Sequence, residues 1–157
     1  MRFTTVALAV FFALANAASA EGPGPREGWR IVETGHSYGD LVERVQAAVK
    51  GEGMLLVTQA SASGGAKAQG ITILGNRVIG VYRNDFARRM LEASIAAGIE
   101  APIRFYVTEN EDGTATLSYK TPSFVFSPYF DEGGEALVAL AEELDGVFET
   151  IAKNATE

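Results

Sequence analysis

The apolar positions of the chain change spacing repeatedly, and each spacing predicts a different element. "WRIVET", Trp29 to Thr34, reads as a first strand. Ser37 or Asp40 then opens a helix whose apolar stripe is Leu41, Val45, Ala48 and Val49, and Gly51 and Gly53 close it. "MLLVTQ", Met54 to Gln59, is almost continuously apolar, which predicts a strand buried on both faces. The small-residue run Ala60 to Gly70 has no period and reads as a connector with room for one helical turn over Ala66 to Gln69. Strand character returns from Arg77 to Arg83. Asn84 then caps a helix with Phe86, Met90, Leu91 and Ile95 on one side and Gly98 past its end. Pro102 leads into "IRFYVTE", Ile103 to Glu109. Glu111-Asp112-Gly113 makes the turn, because Asp and Gly tolerate positive φ, and "TATLSYK" alternates as a half-exposed antiparallel strand does. After Pro122 an aromatic segment, "SFVFSPYF", precedes a long helix from about Gly134 to Ile151, with Leu137, Leu140, Leu144, Val147, Phe148 and Ile151 on one face. Helices alternating with strands and ending in a hairpin and a helix predict an α+β fold. Its expected form is a single mixed β-sheet with helices packed against it, including the antiparallel hairpin and the long C-terminal helix.

Residues 1–20 have a different character. One arginine, an apolar run from Val6 to Ala15 and the ending Ala18-Ser19-Ala20 predict a secretory signal peptide cut before Glu21. The run is shorter than the roughly 20 apolar residues that span a bilayer, so no stable membrane insertion is expected after cleavage. Residues 21–28, "EGPGPREG", read as a flexible leader, and residues 29–157 as one domain. The expected location is periplasmic or secreted. The chain has no cysteine, so the exported domain must be held by packing alone, and thiolate chemistry is excluded. Its formal net charge is −7, which argues against nucleic acid as a partner, since that requires a basic footprint.

The order of these pieces carries a resemblance. A helix, a buried strand, a small-residue segment, "VIGVYRND", a second helix, "APIRFYV", "EDG" and "LSYKTPS" follow one another from about His36 to Pro128. The most specific parts are Pro102-x-Arg104, Asp112-Gly113 and Tyr119-x-x-Pro122. This arrangement resembles the DUF302 family, domains of unknown function with a compact α+β fold. The resemblance implies that fold and homodimerisation, and it supplies no reaction. The chain departs from the family pattern at Asn84-Asp85, where members often carry Asn-Pro. It departs again at Thr58-Gln59-Ala60-Ser61, where many carry an acidic residue and a histidine.

Little catalytic chemistry is available. His36 is the sole histidine, too few for a histidine-rich zinc site. It is also the only base a serine triad could use, and no Gly-x-Ser-x-Gly elbow exists. A haem ligated through His36, with Met54 or Met90 opposite, is a remote alternative to having no cofactor. "SGGAKAQG" lacks the outer glycine and the Lys-Ser/Thr of a phosphate loop. The denser cluster is Tyr82, Arg83, Asn84, Asp85, Arg88 and Arg89 at a helix start, joined by Arg104 and Tyr119; it suggests a site for a small apolar or anionic ligand. Phe124, Phe126, Tyr129 and Phe130 offer an interaction surface instead. The expectation is a non-catalytic ligand-binding or accessory module. The alternative is a structural domain that docks a partner through the aromatic segment and the C-terminal helix.

Overall fold

The computed structural model describes residues 22–157. The expected signal peptide, residues 1–20, lies outside the described residues. The elements are β1 (Trp29–Ser37), α1 (Tyr38–Gly51), β2 (Leu55–Ala60), α2 (Ala62–Ala68), β3 (Asn76–Tyr82), α3 (Asn84–Ala93), a 3-10 turn (Ala96–Glu100), β4 (Ile103–Glu109), β5 (Thr114–Lys120), α4 (Pro122–Phe126), a second 3-10 turn (Ser127–Tyr129) and α5 (Phe130–Thr156). The strands form one sheet in the order β1-β5-β4-β3-β2. The α+β class, the hairpin and the long C-terminal helix are as the sequence predicts.

The sheet is antiparallel at every pairing rather than mixed. The reason lies in α1. It carries the chain from one edge of the sheet to the other, so β1 and β2 run the same way but never become neighbours. Edge placement also corrects the reading of β2. Leu55 is 59% exposed and Val57 46% exposed, so this apolar strand is an open edge and not a buried centre. A register shift at Val57, between Leu56 and Thr58, adds a bulge there.

Strand alternation divides the sheet into two faces. Ile79, Val81, Ile103, Phe105, Val107, Ala115, Leu117 and Tyr119 turn to one side and are buried under α1, α3 and α5. Helix α5 packs against both α1 and α3, and its Phe148 ring stacks on Phe105 at 4.5 Å and meets Tyr119 at 5.6 Å. Arg44 Nε donates to the Ala155 carbonyl at 2.8 Å, fastening α1 to the end of α5. The backbone of α5 is interrupted at Gly134, whose φ of 57° suits glycine. That interruption explains why a helix beginning near Gly134 could be read from sequence, whereas the turn before it could not.

The other face carries no large helix. Glycine 22 of the leader lies against it: a Cβ there would come within 3.1 Å of Thr108 Oγ1 and of Thr116 Cβ. Thr116 is buried beneath it, and Ser118 on the same face is buried as well. The small-residue connector is more ordered than its composition suggests. Ser61 caps α2 by accepting from Gly64 N at 3.0 Å, and Asn76 Oδ1 accepts from Ala62 N at 2.9 Å, tying α2 to β3.

Candidate functional site

The helix-start cluster proves to be internally engaged. Asn84 is the first residue of α3, with Arg83 at the capping position and no side-chain cap. Asn84 therefore does not cap. Its amide donates to Tyr82 Oη at 3.3 Å and accepts from Arg88 Nε at 3.1 Å. Asp85 supplies the anion that a helix start attracts. Arg83 donates to both oxygens of Asp85, at 2.8 and 3.1 Å, and lies over the Phe86 ring at 4.1 Å. That hydrogen bond, foremost among the causes, holds the Asp85 carboxyl below its ordinary pKa. Arg89 is paired with Glu143 of α5 at 2.7 Å, which raises its pKa.

The remaining candidate residues lie on both faces of the sheet. Tyr119 belongs to the core, 5% exposed and edge-on to Phe105, and burial pushes its hydroxyl pKa up. Arg104 projects from the opposite face of the sheet and is exposed. Among the aromatics, Phe126 is 1% exposed and is core, so it cannot serve a surface. Tyr129 donates from its hydroxyl to Glu100 at 2.8 Å, and the same bond raises its pKa. Tyr129 and Phe130 are half-buried against the core, and Phe124 is 37% exposed with its ring over Gly28. The segment is a short helix and a 3-10 turn packed against the core ahead of α5, not a flat patch.

His36 holds Asp40 at 3.0 Å on β1, while Met54 and Met90 are buried. Both methionines border an apolar cavity of only about 30 Å³ between α3, α5 and the sheet, to which His36 does not contribute. Among the described residues, no cluster of three or more His, Asp or Glu side chains is placed to hold a metal ion.

A groove of about 550 Å³ runs across the open sheet face. Register explains its construction. Trp29 pairs with Lys120 across β1 and β5, Gly80 with Arg104, and Val78 with both Tyr106 and Ala60, so the groove runs obliquely from the β1 edge to the β2 edge. Arg104 and Lys120 line it, together with Glu100, whose carboxylate is held by Tyr129. Lys120 Nζ lies 5.9 Å and the Arg26 guanidinium 5.5 Å from the centre of the Trp29 ring. Among the described residues, neither Arg104 nor Lys120 has a carboxylate within ion-pairing distance. Of the residues singled out from the sequence, Arg104, Tyr106 and Tyr119 border this groove, whereas Trp29 and Lys120 were missed. Alternation does place Arg104 and Tyr106 on the face opposite Ile103 and Phe105. Bringing Trp29 and Lys120 beside them needs the strand order, which alternation does not contain.

A second cavity of about 500 Å³ lies at the start of α1, lined by Tyr38, Lys67, Arg77 and Glu109 among others. Tyr38 Oη and Arg77 Nε have no partner there but are sealed from solvent, and Glu109 is engaged by Gly75 N at 2.6 Å.

The described residues form a five-stranded antiparallel sheet with helices on one face and a groove on the other. The profile described as domain of unknown function DUF302 matches residues 30–151. The chain belongs to the DUF302 family. Its fold is similar to the crystal structure of an uncharacterized conserved DUF302 protein from Bacillus stearothermophilus. The two superpose with a TM-score of 0.72 at 18% identity, covering 83% of this chain and 99% of that one. No curated protein matches the chain significantly.

Proposed function

We propose that the chain is an exported, non-catalytic binding module that takes a small amphipathic anion in the groove on the open sheet face. The observation that carries this reading is the pair Arg104 and Lys120. In an acidic chain they face a cavity of ligand size, about 550 Å³, without a carboxylate partner among the described residues. The cluster at the α3 start is the weaker candidate, because Asp85 already occupies its charge site. Export rests on the composition of residues 1–20.

Native mass spectrometry of the protein isolated from the compartment that receives it tests this reading. The expected result is a mass excess that disappears on denaturation and is reduced in Arg104→Ala. A bare protein, or an adduct indifferent to Arg104→Ala, counts against the groove.

A second reading, a domain that docks a partner or a second copy, has its own support. Leu91, Ile95 and Ile99 are 46%, 80% and 80% exposed along α3 and the turn after it, an apolar band that the core does not use. Leu91 folds back toward the turn, since a Cβ on Gly98 would lie 2.9 Å from its Cδ2. Docking would then use this band rather than the aromatic segment.

A further inference from the structure

The groove has enough chemistry to narrow the class of its occupant, granted that it is the binding site. We infer that the ligand is an amphipathic monocarboxylate: one carboxylate held by Arg104 and Lys120, and an apolar body lying across the sheet.

Three features of the lining carry this. The first is charge. Two cations and one carboxylate, Glu100, border the cavity. Glu100 stays fixed as an acceptor by Tyr129 Oη at 2.8 Å, so the local balance favours one added negative charge over two. A dianionic phosphate would leave one charge without a partner while placing it near Glu100, and a cation would meet Arg104 and Lys120 directly. The second is geometry. Guanidinium presents a planar fork that fits a carboxylate edge-on, and Arg104 stands on a strand whose other face is locked in the core by Ile103 and Phe105. The head-group position is therefore set by rigid sheet, not by a loop. The third is polarity gradient. From the charged end the groove continues past Tyr106 and Val78 to Ala60 and Ala62; the Asn76 amide that also lines this end already accepts from Ala62 N and donates to the Leu74 carbonyl, so the small side chains here leave width for an alkyl or aryl chain.

The chain provides its own reporter. Trp29 is its only tryptophan and lines the groove. Titration of the purified chain with octanoate should change Trp29 fluorescence saturably. Octanol and octylamine, which share the tail without the negative charge, should bind at least tenfold more weakly. Arg104→Ala should weaken octanoate at least tenfold and leave the urea midpoint in place, because Arg104 is exposed and bonds to no described side chain. Arg104→Lys should recover part of the loss. Octanol binding as tightly as octanoate overturns the carboxylate. Octyl phosphate binding more tightly than octanoate, and through Arg104, overturns the monoanion while leaving the groove as the site. If no probe moves Trp29, and the natively retained mass is indifferent to Arg104→Ala, the groove itself is not the site.

Discussion

The pair Arg83 and Asp85 shows how one residue can close a site that its neighbours seem to open. Three arginines at a helix start suggest an anion receptor, but the anion is built into the chain. The Arg83 bond depresses the Asp85 pKa below its ordinary value of 3.8, which makes the pair a pH-dependent contributor to stability. The sign follows from linkage. A carboxyl whose folded pKa is lowered stabilises the fold fully above its unfolded value, and that contribution is lost as pH falls through the folded value. Both side chains are substantially exposed, 30% for Arg83 and 45% for Asp85, so solvent screening limits the pair to about 0–1 kcal/mol. Asp85→Asn should therefore lower the urea midpoint slightly at neutral pH, and the gap from the parent chain should shrink as the pH is taken below 3.8. A gap that persists unchanged into strong acid would mean the carboxylate charge is not what Asp85 contributes.

Among the elements, α5 shows most directly how this sheet is stabilised without disulfides. Its Phe148 packs onto the touching pair Phe105 of β4 and Tyr119 of β5, closing a triad of rings on the helix-facing sheet surface. Phe148→Ala removes a fully buried ring and should cost about 3–5 kcal/mol, whereas Phe148→Leu should cost under about 1.5 kcal/mol if the gap repacks. Chemical unfolding measures both, and a loss below about 1 kcal/mol for the alanine variant would show that the ring cluster is not the anchor. This stripe was legible in the sequence because helical spacing of Leu137, Leu140, Leu144 and Phe148 is a local signal. The strand alternation of β4 and β5 was legible for the same reason. What local pattern could not reveal was position in the sheet. "MLLVTQ" has the composition of a central strand and occupies an edge, and Leu91 and Ile95 have the spacing of a core stripe, but α3 ends at Ala93 and both are exposed. The groove was hidden for a related reason: its cations come from β4 and β5 and its tryptophan from β1, separated in sequence and joined only by the order β1-β5-β4.

At the scale of the whole molecule, two surfaces compete to explain why the chain is made. One is the concave groove, charged at one end; the other is the exposed apolar band Leu91, Ile95 and Ile99. They do not share residues, so each can be disabled alone. Neither Ile95 nor Ile99 supports the core, and glutamate at both positions should change stability by no more than about 0.5 kcal/mol each. If two copies meet through the band, sedimentation velocity of the parent chain should reveal a concentration-dependent dimer that the double variant loses. Salt provides a further discriminator. Each copy carries a formal net charge of −7, so a dimer held by apolar contact works against long-range repulsion. Raising ionic strength from 0.01 to 0.1 M shortens the screening length from about 30 to about 10 Å and should strengthen such a dimer. An association that salt weakens would instead be held by ion pairs, and one that survives Ile95→Glu with Ile99→Glu would use another face, of which the open edge β2 with Leu55 and Val57 is the first to examine. A parent chain that stays monomeric at every concentration would leave the band for a different partner and place the weight on the groove.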